Sequence, residues 1–237
     1  MIETSLAPTL PPTAPHRASG LAGRQQVLGT VADAILRLPA IHVVRVGVDG
    51  VDGAGKTVFG DELAQVLAAA GRGIIRASVD SFHNPRELRY RRGRQSPEGY
   101  FRDSYNYAQL AEVLLDPLSP GGSGRYRTAA FDHRTDQTVS APEAQAAPGD
   151  ILIFDGIFLH RPELRSYWDY SIFLEVGFDV SIPRGAQRDG SAPDPQAPEN
   201  RRYVAGQQIY LSTYEPRRSA TIAINNETLL SPFIIAR

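Results

Sequence analysis

The chain has 237 residues, of which 42% are hydrophobic and 22% charged, and its formal net charge at pH 7 is -1. This length can bury a substantial core, and one large domain is the simplest organisation. The near balance of charge does not point to nucleic acid or an anionic membrane as a partner. Cysteine is absent, which excludes disulfides, thiol nucleophiles and Cys-ligated zinc.

Targeting and membrane signals are missing from the sequence. Residues 1–15 contain Glu3 and four prolines, without the cationic start and apolar run of a secretory signal. The apolar runs are far shorter than the roughly 20 residues that span a bilayer. We therefore expect a cytoplasmic protein with a disordered tail over residues 1–18 and a single domain over residues 19–237.

The hydrophobic pattern along the chain alternates between helices and strands. The helical spacing of Leu28, Val31, Ile35 and Leu38 predicts an added N-terminal amphipathic helix. Segments rich in apolar and β-branched residues predict five strands, at residues 41–48, 74–79, 151–154, 170–176 and 221–224. Apolar strands that alternate with helices indicate an α/β, doubly wound fold with a parallel sheet covered on both faces. Residues 85–105 and 190–198 fit this alternation poorly and are predicted to be excursions or mobile loops.

A phosphate-loop pattern, G-x-x-x-x-G-K-[ST], occupies residues 50–57. It follows a predicted strand and opens a predicted helix, which is the context that the motif requires. Its glycines let backbone N–H groups surround phosphate oxygens, while Lys56 can reach the β- and γ-phosphates and Thr57 can hold Mg²⁺. We therefore predict a nucleoside triphosphate and Mg²⁺ as cofactors; ATP is the expected donor, and the sequence leaves GTP open as the alternative. The predicted nucleotide contacts in the loop are Gly50, Asp52, Gly53, Ala54, Gly55, Lys56 and Thr57.

Lys56 is the only lysine in the sequence, although Lys and Arg together number 25. A surface cation elsewhere in this chain is therefore an arginine. Arginine carries a planar fork and lysine a compact point charge, so the two are not interchangeable at a phosphate site. The single retained lysine argues against a chance glycine turn.

The choice between transfer and hydrolysis rests on positions outside the loop. Guanine-specific GTPases carry an Asn-Lys-x-Asp motif, which a chain with one lysine in its phosphate loop cannot contain. Many ATPase motors end an apolar strand in Asp-Glu, whereas residues 151–156 end in Asp-Gly. Both observations favour transfer to a substrate, without excluding hydrolysis.

Two aspartates follow predicted strands and should lie at the same sheet edge as the phosphate loop. Asp80 is the predicted catalytic base, which accepts the proton of an attacking hydroxyl group or orients it. The alternative is a helix cap or an outer partner of Mg²⁺. Asp155 is the predicted second metal contact beside Thr57, with a structural cap as the alternative.

With these residues placed, residues 41–226 resemble the phosphoribulokinase/uridine kinase family of P-loop kinases, and within it the uridine kinase-like branch. The likeness includes the phosphate loop and the segment 79–83, Val-Asp-Ser-Phe-His, where family members have Asp-x-Phe/Tyr. It also includes the segment 153–157, Ile-Phe-Asp-Gly-Ile, where they have an apolar strand that ends in Glu-Gly. The resemblance implies a P-loop, three-layer fold with about five strands. It also implies phosphorylation of the 5′-hydroxyl group of a pyrimidine nucleoside, with Asp80 as the base.

Looser matches imply substrate contacts. Asp103 stands where the family has an Asp that holds the ribose, and residues 131–134 resemble the segment whose His contacts the base. This implies Asp103, His133 and Arg134 as substrate contacts, with an ordinary exposed loop histidine as the alternative for His133. Gln207 resembles a substrate contact on a later family helix.

The family's lid is matched at about residues 184–203. Its arginines close over the phosphates, which implies Arg184 as a nucleotide contact and Arg188 as a catalytic residue beside Lys56 and Asp80. A solvated helix face is the alternative for Arg184.

Several arginines cluster in residues 86–94. Such a cluster could suggest nucleic acid, but we interpret it as a solvated excursion or as an approach to an anionic substrate. The expected partner is a small-molecule hydroxyl acceptor, a nucleoside by resemblance, with neither nucleic acid nor membrane, and homo-oligomers are common among related kinases. Two alternatives stay open: a kinase for another hydroxyl group, such as that of a sugar phosphate, pantothenate or a nucleoside-like metabolite, and a non-catalytic nucleotide-binding module.

Overall fold

The structure is a computed structural model that describes residues 17–235, with side chains described from residue 23. The helices are α1 (Arg17–Leu36), α2 (Lys56–Ala69), α3 (Arg86–Arg89), α4 (Pro97–Asp103), α5 (Tyr107–Leu110), α6 (Phe178–Asp189), α7 (Arg201–Tyr214) and α8 (Pro216–Ser219). The strands are β1 (Val44–Gly50), β2 (Ile74–Ser78), β3 (Arg125–Tyr126), β4 (Phe131–Asp132), β5 (Gln137–Thr138), β6 (Ala144–Gln145), β7 (Ile151–Gly156), β8 (Tyr170–Glu175), β9 (Ile222–Asn225) and β10 (Phe233–Ile235). A 3₁₀ turn, Val79–Phe82, follows β2 directly.

A six-stranded sheet in the order β10-β9-β8-β1-β7-β2 forms the centre of the protein. β1 lies between β7 and β8 and pairs with both in parallel, whereas β10 pairs with β9 in antiparallel fashion. The predicted α/β fold with a mostly parallel sheet is confirmed, and the five predicted strands correspond to β1, β2, β7, β8 and β9. The edge strand β10 was not predicted because three residues are too few to show alternation.

The strand boundaries differ from the prediction where apolar residues lie in turns. Ile41 was placed in the first strand, but this residue is 80% exposed and β1 begins at Val44. β1 then continues to Gly50, so the strand leads without a break into the phosphate loop. β2 ends at Ser78, one residue before the predicted end.

Both faces of the sheet are covered, which explains the continuous apolar runs of its strands. In β7, Ile151 and Ile153 belong to the core cluster that includes the buried residues of α1 and α2. Leu152 and Phe154 point to the opposite face and belong to the cluster formed with residues from 100 to 118. The sheet is therefore the middle of three layers.

Helix α1 is the added N-terminal helix. Leu28, Val31 and Ile35 are buried as predicted, and Arg24 Nη2 lies 2.7 Å from Glu62 Oε2 on α2. Of the predicted tail, residues 1–16 lie outside the described residues, and residues 17 and 18 begin α1. Within residues 17–235, no helix is long and apolar enough to cross a membrane.

Candidate active site

The phosphate loop connects the central strand β1 to α2. Gly53 and Gly55 adopt φ angles of 74° and 87°, a left-handed conformation that glycine adopts without the steric cost of a side chain. Gly55 is the N-cap of α2, so the positive end of the helix dipole points at the loop. This arrangement is a ready anion site, because helix N-terminal N–H groups and the dipole both favour a phosphate.

Lys56 is the first residue of α2, and its side chain folds back over the loop. Its Nζ donates a hydrogen bond of 2.8 Å to the carbonyl oxygen of Val51. The ammonium group thus lies within the loop that would hold the phosphates.

Asp52, in the middle of the loop, is held by two residues from distant parts of the chain. Tyr100 Oη donates to Asp52 Oδ2 at 2.7 Å, and Gln207 Nε2 donates to the same oxygen at 3.2 Å. The Asp52 backbone N–H donates to Gln207 Oε1 at 2.8 Å. Burial, and then the charge of Asp52, keep the pKa of Tyr100 well above its ordinary value, so the phenol remains a hydrogen-bond donor.

A buried network supports the start of the loop. Asp49 is fully buried, and its Oδ1 accepts a bond of 2.7 Å from the Gly50 backbone N–H. Its Oδ2 lies 2.7 Å from His160 Nδ1 and accepts a bond from the Tyr210 hydroxyl group. Sequence reasoning missed this network because Asp49, His160 and Tyr210 are 50 or more residues apart.

Asp155 lies at the end of β7, next to β1 and β2. It pairs in register with Val48 and Ser78, which places its carboxylate beside the start of α2. Thr57 Oγ1 donates to Asp155 Oδ2 at 2.9 Å, and Arg76 Nη2 lies 2.9 Å from Asp155 Oδ1. Arg76 offsets the buried charge of Asp155 without touching the oxygen that faces Thr57.

The pair formed by Thr57 and Asp155 fits the predicted Mg²⁺ contacts. Both supply oxygen, the element that Mg²⁺ prefers, and Mg²⁺ is commonly held by one or two protein oxygens together with phosphates and water. Among the side chains described here, no cluster of three or more His, Asp or Glu could hold a metal by itself. A metal at Thr57 and Asp155 would therefore depend on the nucleotide for its remaining ligands.

Two cavities meet at the phosphate loop. The small cavity, of about 90 Å³, is lined by Asp52, Gly53, Gly55, Lys56, Thr57, Ser78, Asp80, Asp155, Gly156, Ile157 and Arg188. The large cavity, of about 410 Å³, is lined by Asp52, Gly53, Asp80, His83, Arg89, Tyr90, Tyr100, Ser104, His133, Ser181, Ile182, Gly185, Arg188, Asp189, Ser191, Asn200, Arg202 and Tyr203. Four residues line both: Asp52, Gly53, Asp80 and Arg188.

Asp80 lies in the 3₁₀ turn after β2, with its side chain exposed. The cap of this turn is Ser78, whose side chain accepts a bond from the Asp80 N–H, so Asp80 is not itself the cap. The Tyr105 hydroxyl group donates to Asp80 Oδ1 at 3.4 Å, and burial first, then Asp80, keep the pKa of Tyr105 well above its ordinary value. The Asp80 carboxylate is thus open to both cavities.

His133 lines the large cavity together with His83, and the two rings lie 4.6 Å apart. Burial lowers the pKa of His83 below its ordinary value, which favours the neutral ring. Arg134 lies exposed in the turn between β4 and β5, where its backbone N–H donates to Asp132 Oδ1 at 2.9 Å. Arg134 lines neither cavity.

The structure gives Asp103 partners other than a cavity ligand. Its side chain is 4% exposed and lies 2.6 Å from Arg91 Nη2 and 2.8 Å from Arg92 Nε. Burial opposes ionisation of this carboxyl group, but the two arginine bonds outweigh it and lower its pKa. Two arginines of the cluster in residues 86–94 therefore compensate Asp103, and the predicted ribose contact lies outside both cavities.

Gln207, also predicted as a substrate contact, is buried and holds the phosphate loop through Asp52 instead of lining a cavity. The position of α7 explains this contact. Gly206 lets α7 approach α4 closely, because a Cβ there would lie 2.8 Å from both the Pro97 carbonyl oxygen and the Tyr100 ring. The contact of Gln207 with a substrate stays a prediction.

The predicted lid, about residues 184–203, begins within helix α6, and this helix packs over the phosphate loop. The space beside Gly53 is filled by Ser181 and Gly185 of α6. Arg188, 75% exposed in its side chain, lies beside Asp189 at 3.7 Å and lines both cavities. Arg184 instead donates to the carbonyl oxygens of Asn226 and Glu227 and lines neither cavity.

Substitution of Gly53 by alanine is expected to destabilise the protein and weaken nucleotide binding. The new Cβ would overlap the Ser181 carbonyl oxygen, and the φ angle of 74° alone costs a non-glycine residue about 1–2 kcal/mol. Thermal unfolding with and without MgATP measures both effects. Gly29→Ala is the matched control, because a Cβ on that helical glycine meets nothing within 4 Å. Equal unfolding temperatures for Gly53→Ala and wild type would contradict the close packing of α6 on the loop.

A phosphate loop between a central parallel strand and a helix, with Thr57 bonded to a strand-end carboxylate, defines the class of P-loop nucleotide-binding folds. The model of the phosphoribulokinase/uridine kinase family matches residues 45–192, which is more than half of the chain. The chain belongs to this family of kinases, as its sequence resemblance predicted.

Similar proteins agree with this family. Over 152 residues the chain is 28% identical to the uridine kinase of Ligilactobacillus salivarius (strain UCC118), an alignment that covers 62% of this chain and 66% of that protein. The aligned part is therefore just under two thirds of that relative's length. Similar solved structures include a possible uridine kinase from Bacillus stearothermophilus (TM-score 0.66, 22% identity, 84% of this chain and 97% of that chain). They also include the D-glycerate 3-kinase from Cryptococcus neoformans (TM-score 0.55, 14% identity, 81% and 88%). At these identities the structural matches show the fold alone.

Proposed function

We propose that the protein is an ATP- and Mg²⁺-dependent kinase that transfers the γ-phosphate to a hydroxyl group of a small molecule bound in the large cavity. The observation that carries the proposal is that Asp80 and Arg188 line both cavities. A carboxylate and a guanidinium group thus stand where a nucleotide in the small cavity and an acceptor in the large cavity would meet.

The donor side follows from the residues of the small cavity. Thr57 and Asp155 would hold Mg²⁺, which supplies charge neutralisation and orientation of the phosphate oxygens when bound. Lys56 donates a hydrogen bond of 2.8 Å to the Val51 carbonyl oxygen in its own loop. It reaches the phosphates when this hydrogen bond breaks. Arg188, largely exposed on α6, neutralises charge on the transferred group.

On the acceptor side, Asp80 accepts the proton of the attacking hydroxyl group or orients that group. Its carboxylate is exposed to the cavities, and the Tyr105 hydroxyl group, 3.4 Å from Oδ1, holds one of its oxygens. The other oxygen is left to face the acceptor.

Two acceptor classes remain as candidates. A pyrimidine nucleoside is supported by the 28% identity to a uridine kinase and by the position of His133 in the large cavity. The ion pairs that occupy Asp103 and the contact of Gln207 with the phosphate loop do not support it. The arginines of the large cavity favour the second class, an acceptor that carries its own negative charge.

The test is ADP release from ATP and Mg²⁺ in the presence of a panel of acceptors: uridine, cytidine, sugar phosphates, glycerate and pantothenate. We expect ADP release with a subset of the panel and little without an acceptor. Binding of ATP with no acceptor-dependent ADP release across the panel would contradict the kinase and favour a non-catalytic nucleotide-binding module.

A further inference from the structure

Arg202 is a buried cation that has no carboxylate partner among the side chains that the structure describes. It lies at the start of α7 and is 5% exposed. Its Nη1 donates to the Arg94 carbonyl oxygen at 2.7 Å, and its Nε is buried with no hydrogen-bond partner. Within the described side chains, no Asp or Glu forms an ion pair with it.

Aromatic rings surround this guanidinium group. Its Cζ lies 4.9 Å from the centre of the Tyr90 ring, 5.3 Å from Tyr203 and 5.6 Å from Tyr100. Such rings attract a cation electrostatically through the negative face of the ring. They do not replace an anion, because removing a charge from water costs several kcal/mol. The tyrosines hold the guanidinium group in place, and its positive charge remains available to bind an anion.

A second arginine stands near the first on the same wall. Arg89 also lines the large cavity, stacks on Tyr90 at 5.7 Å, and has a buried Nε with no partner. Its Nη2 forms an ion pair of 2.9 Å with Asp136. Arg89 is therefore compensated in charge but retains an unused N–H donor.

Two carboxylates of the large cavity are already engaged by neighbouring side chains. Asp52 accepts bonds from Tyr100 and Gln207, and Asp189 lies beside Arg188. Asp80 is the exposed carboxylate at the junction of the two cavities. Among the described residues that line this cavity, Arg202 is thus the arginine without a carboxylate at ion-pair distance, whereas Arg89 and Arg188 each have one.

Arg202 lines the large cavity but not the small one. Lys56, Thr57 and Asp155, the residues suited to the nucleotide phosphates, line the small one. An anion at Arg202 therefore belongs to the acceptor side.

We infer that the acceptor carries an anionic group, a carboxylate or a phosphate, which binds the guanidinium group of Arg202, with Arg89 beside it in the same cavity, while the acceptor hydroxyl group lies at Asp80. Arginine suits both anions, since its planar fork donates two parallel hydrogen bonds. This inference rests on the proposed kinase and narrows its substrate to hydroxy acids or sugar phosphates. A neutral nucleoside leaves Arg202 uncompensated.

Matched pairs of acceptors test the charge requirement by ADP release. The requirement for a carboxylate is tested with two pairs, D-glycerate and glycerol, and pantothenate and pantothenol. The requirement for a phosphate is tested with fructose 6-phosphate and fructose. Uridine is included as the neutral nucleoside. We expect at least one anionic member to be phosphorylated with kcat/KM about 10–100-fold above its neutral partner, the scale of a charge-assisted hydrogen bond. Equal use of neutral and anionic members, or preference for uridine, would overturn the inference while the kinase stands.

Variants at Arg202 test the residue itself. Arg202→Gln is expected to raise KM for the anionic acceptor about 10–100-fold with KM for ATP unchanged. Arg202→Lys keeps the charge but loses the fork, so an intermediate rise is expected, and it serves as the second variant if Arg202→Gln does not fold. The control is Arg165→Gln, because Arg165 is exposed and lines neither cavity. A rise in KM for ATP instead would place Arg202 on the nucleotide and overturn the inference.

A binding measurement keeps the test independent of the acceptor panel. With the nucleotide site saturated by MgADP, inorganic phosphate or acetate at constant ionic strength is expected to raise the unfolding temperature of wild type and Arg165→Gln but not of Arg202→Gln. No stabilisation of wild type, or equal stabilisation of Arg202→Gln, overturns the anion site. Arg202-dependent stabilisation with no ADP release from any acceptor would retain the anion site and reject the kinase.

Discussion

Substitution of Asp80 by asparagine is expected to lower kcat by about 10²–10⁴-fold, the contribution of a positioned general base. Asparagine keeps the size of the side chain and an oxygen that can accept the Tyr105 bond, which is 3.4 Å long in the structure. It removes the group that takes the proton. ATP affinity is expected to stay close to that of wild type, and steady-state ADP release together with direct ATP binding measures the two separately.

Asp33→Asn is the control for the Asp80 variant, because Asp33 is exposed on α1 and lines neither cavity. Unchanged turnover in Asp80→Asn would remove Asp80 as the base. A loss confined to Mg²⁺-dependent ATP affinity would instead favour the other interpretation of Asp80, an outer partner of the metal.

Lys56→Ala is expected to reduce kcat/KM about 10²–10³-fold, the effect of deleting one electrostatic contact to a transferring group. The fold should persist, because the hydrogen bond lost from the ammonium group is one to the carbonyl oxygen of Val51 in the same loop. Circular dichroism and thermal unfolding check the fold, and ADP release checks transfer.

Lys56→Arg separates charge from shape. The variant retains a cation, but the planar guanidinium group is larger than an ammonium group and fits a point-charge position poorly. We expect it to remain strongly impaired, in keeping with a chain that uses arginine at every other basic position. Wild-type transfer by either Lys56 variant would reject the proposed nucleotide site.

The sequence predicted the parts of the fold and candidate site that depend on neighbouring residues. The phosphate loop is one contiguous motif. The apolar run of β1 ends at the phosphate loop, and the apolar run of β7 ends at Asp155. Because parallel strands end at one edge of a sheet, the nearness of Asp80 and Asp155 followed from their strands alone. Both line the small cavity.

Side-chain partners distant in sequence could not be predicted in this way. Gln207 holds Asp52 across 155 positions, and the contact exists because α7 approaches α4 at Gly206. The arginines that surround Asp103 are near in sequence, but their rotamers decide whether the carboxylate faces them or a ligand. Nothing in the sequence distinguishes Arg202 from the other arginines, because its burial and the unpartnered Nε depend on how α7 packs.

Lys56 carries the only side-chain primary amine of the sequence, and it lines the small cavity. The site therefore contains a single reactive group for amine labelling. An amine-selective acylating reagent has one internal target, apart from any terminal amine. Bound nucleotide would shield that amine from the reagent. Mass spectrometry of one peptide would give the fraction of acylated Lys56, and this fraction would report the occupancy of the nucleotide site. In a chain rich in lysine the same signal would be spread over the whole surface.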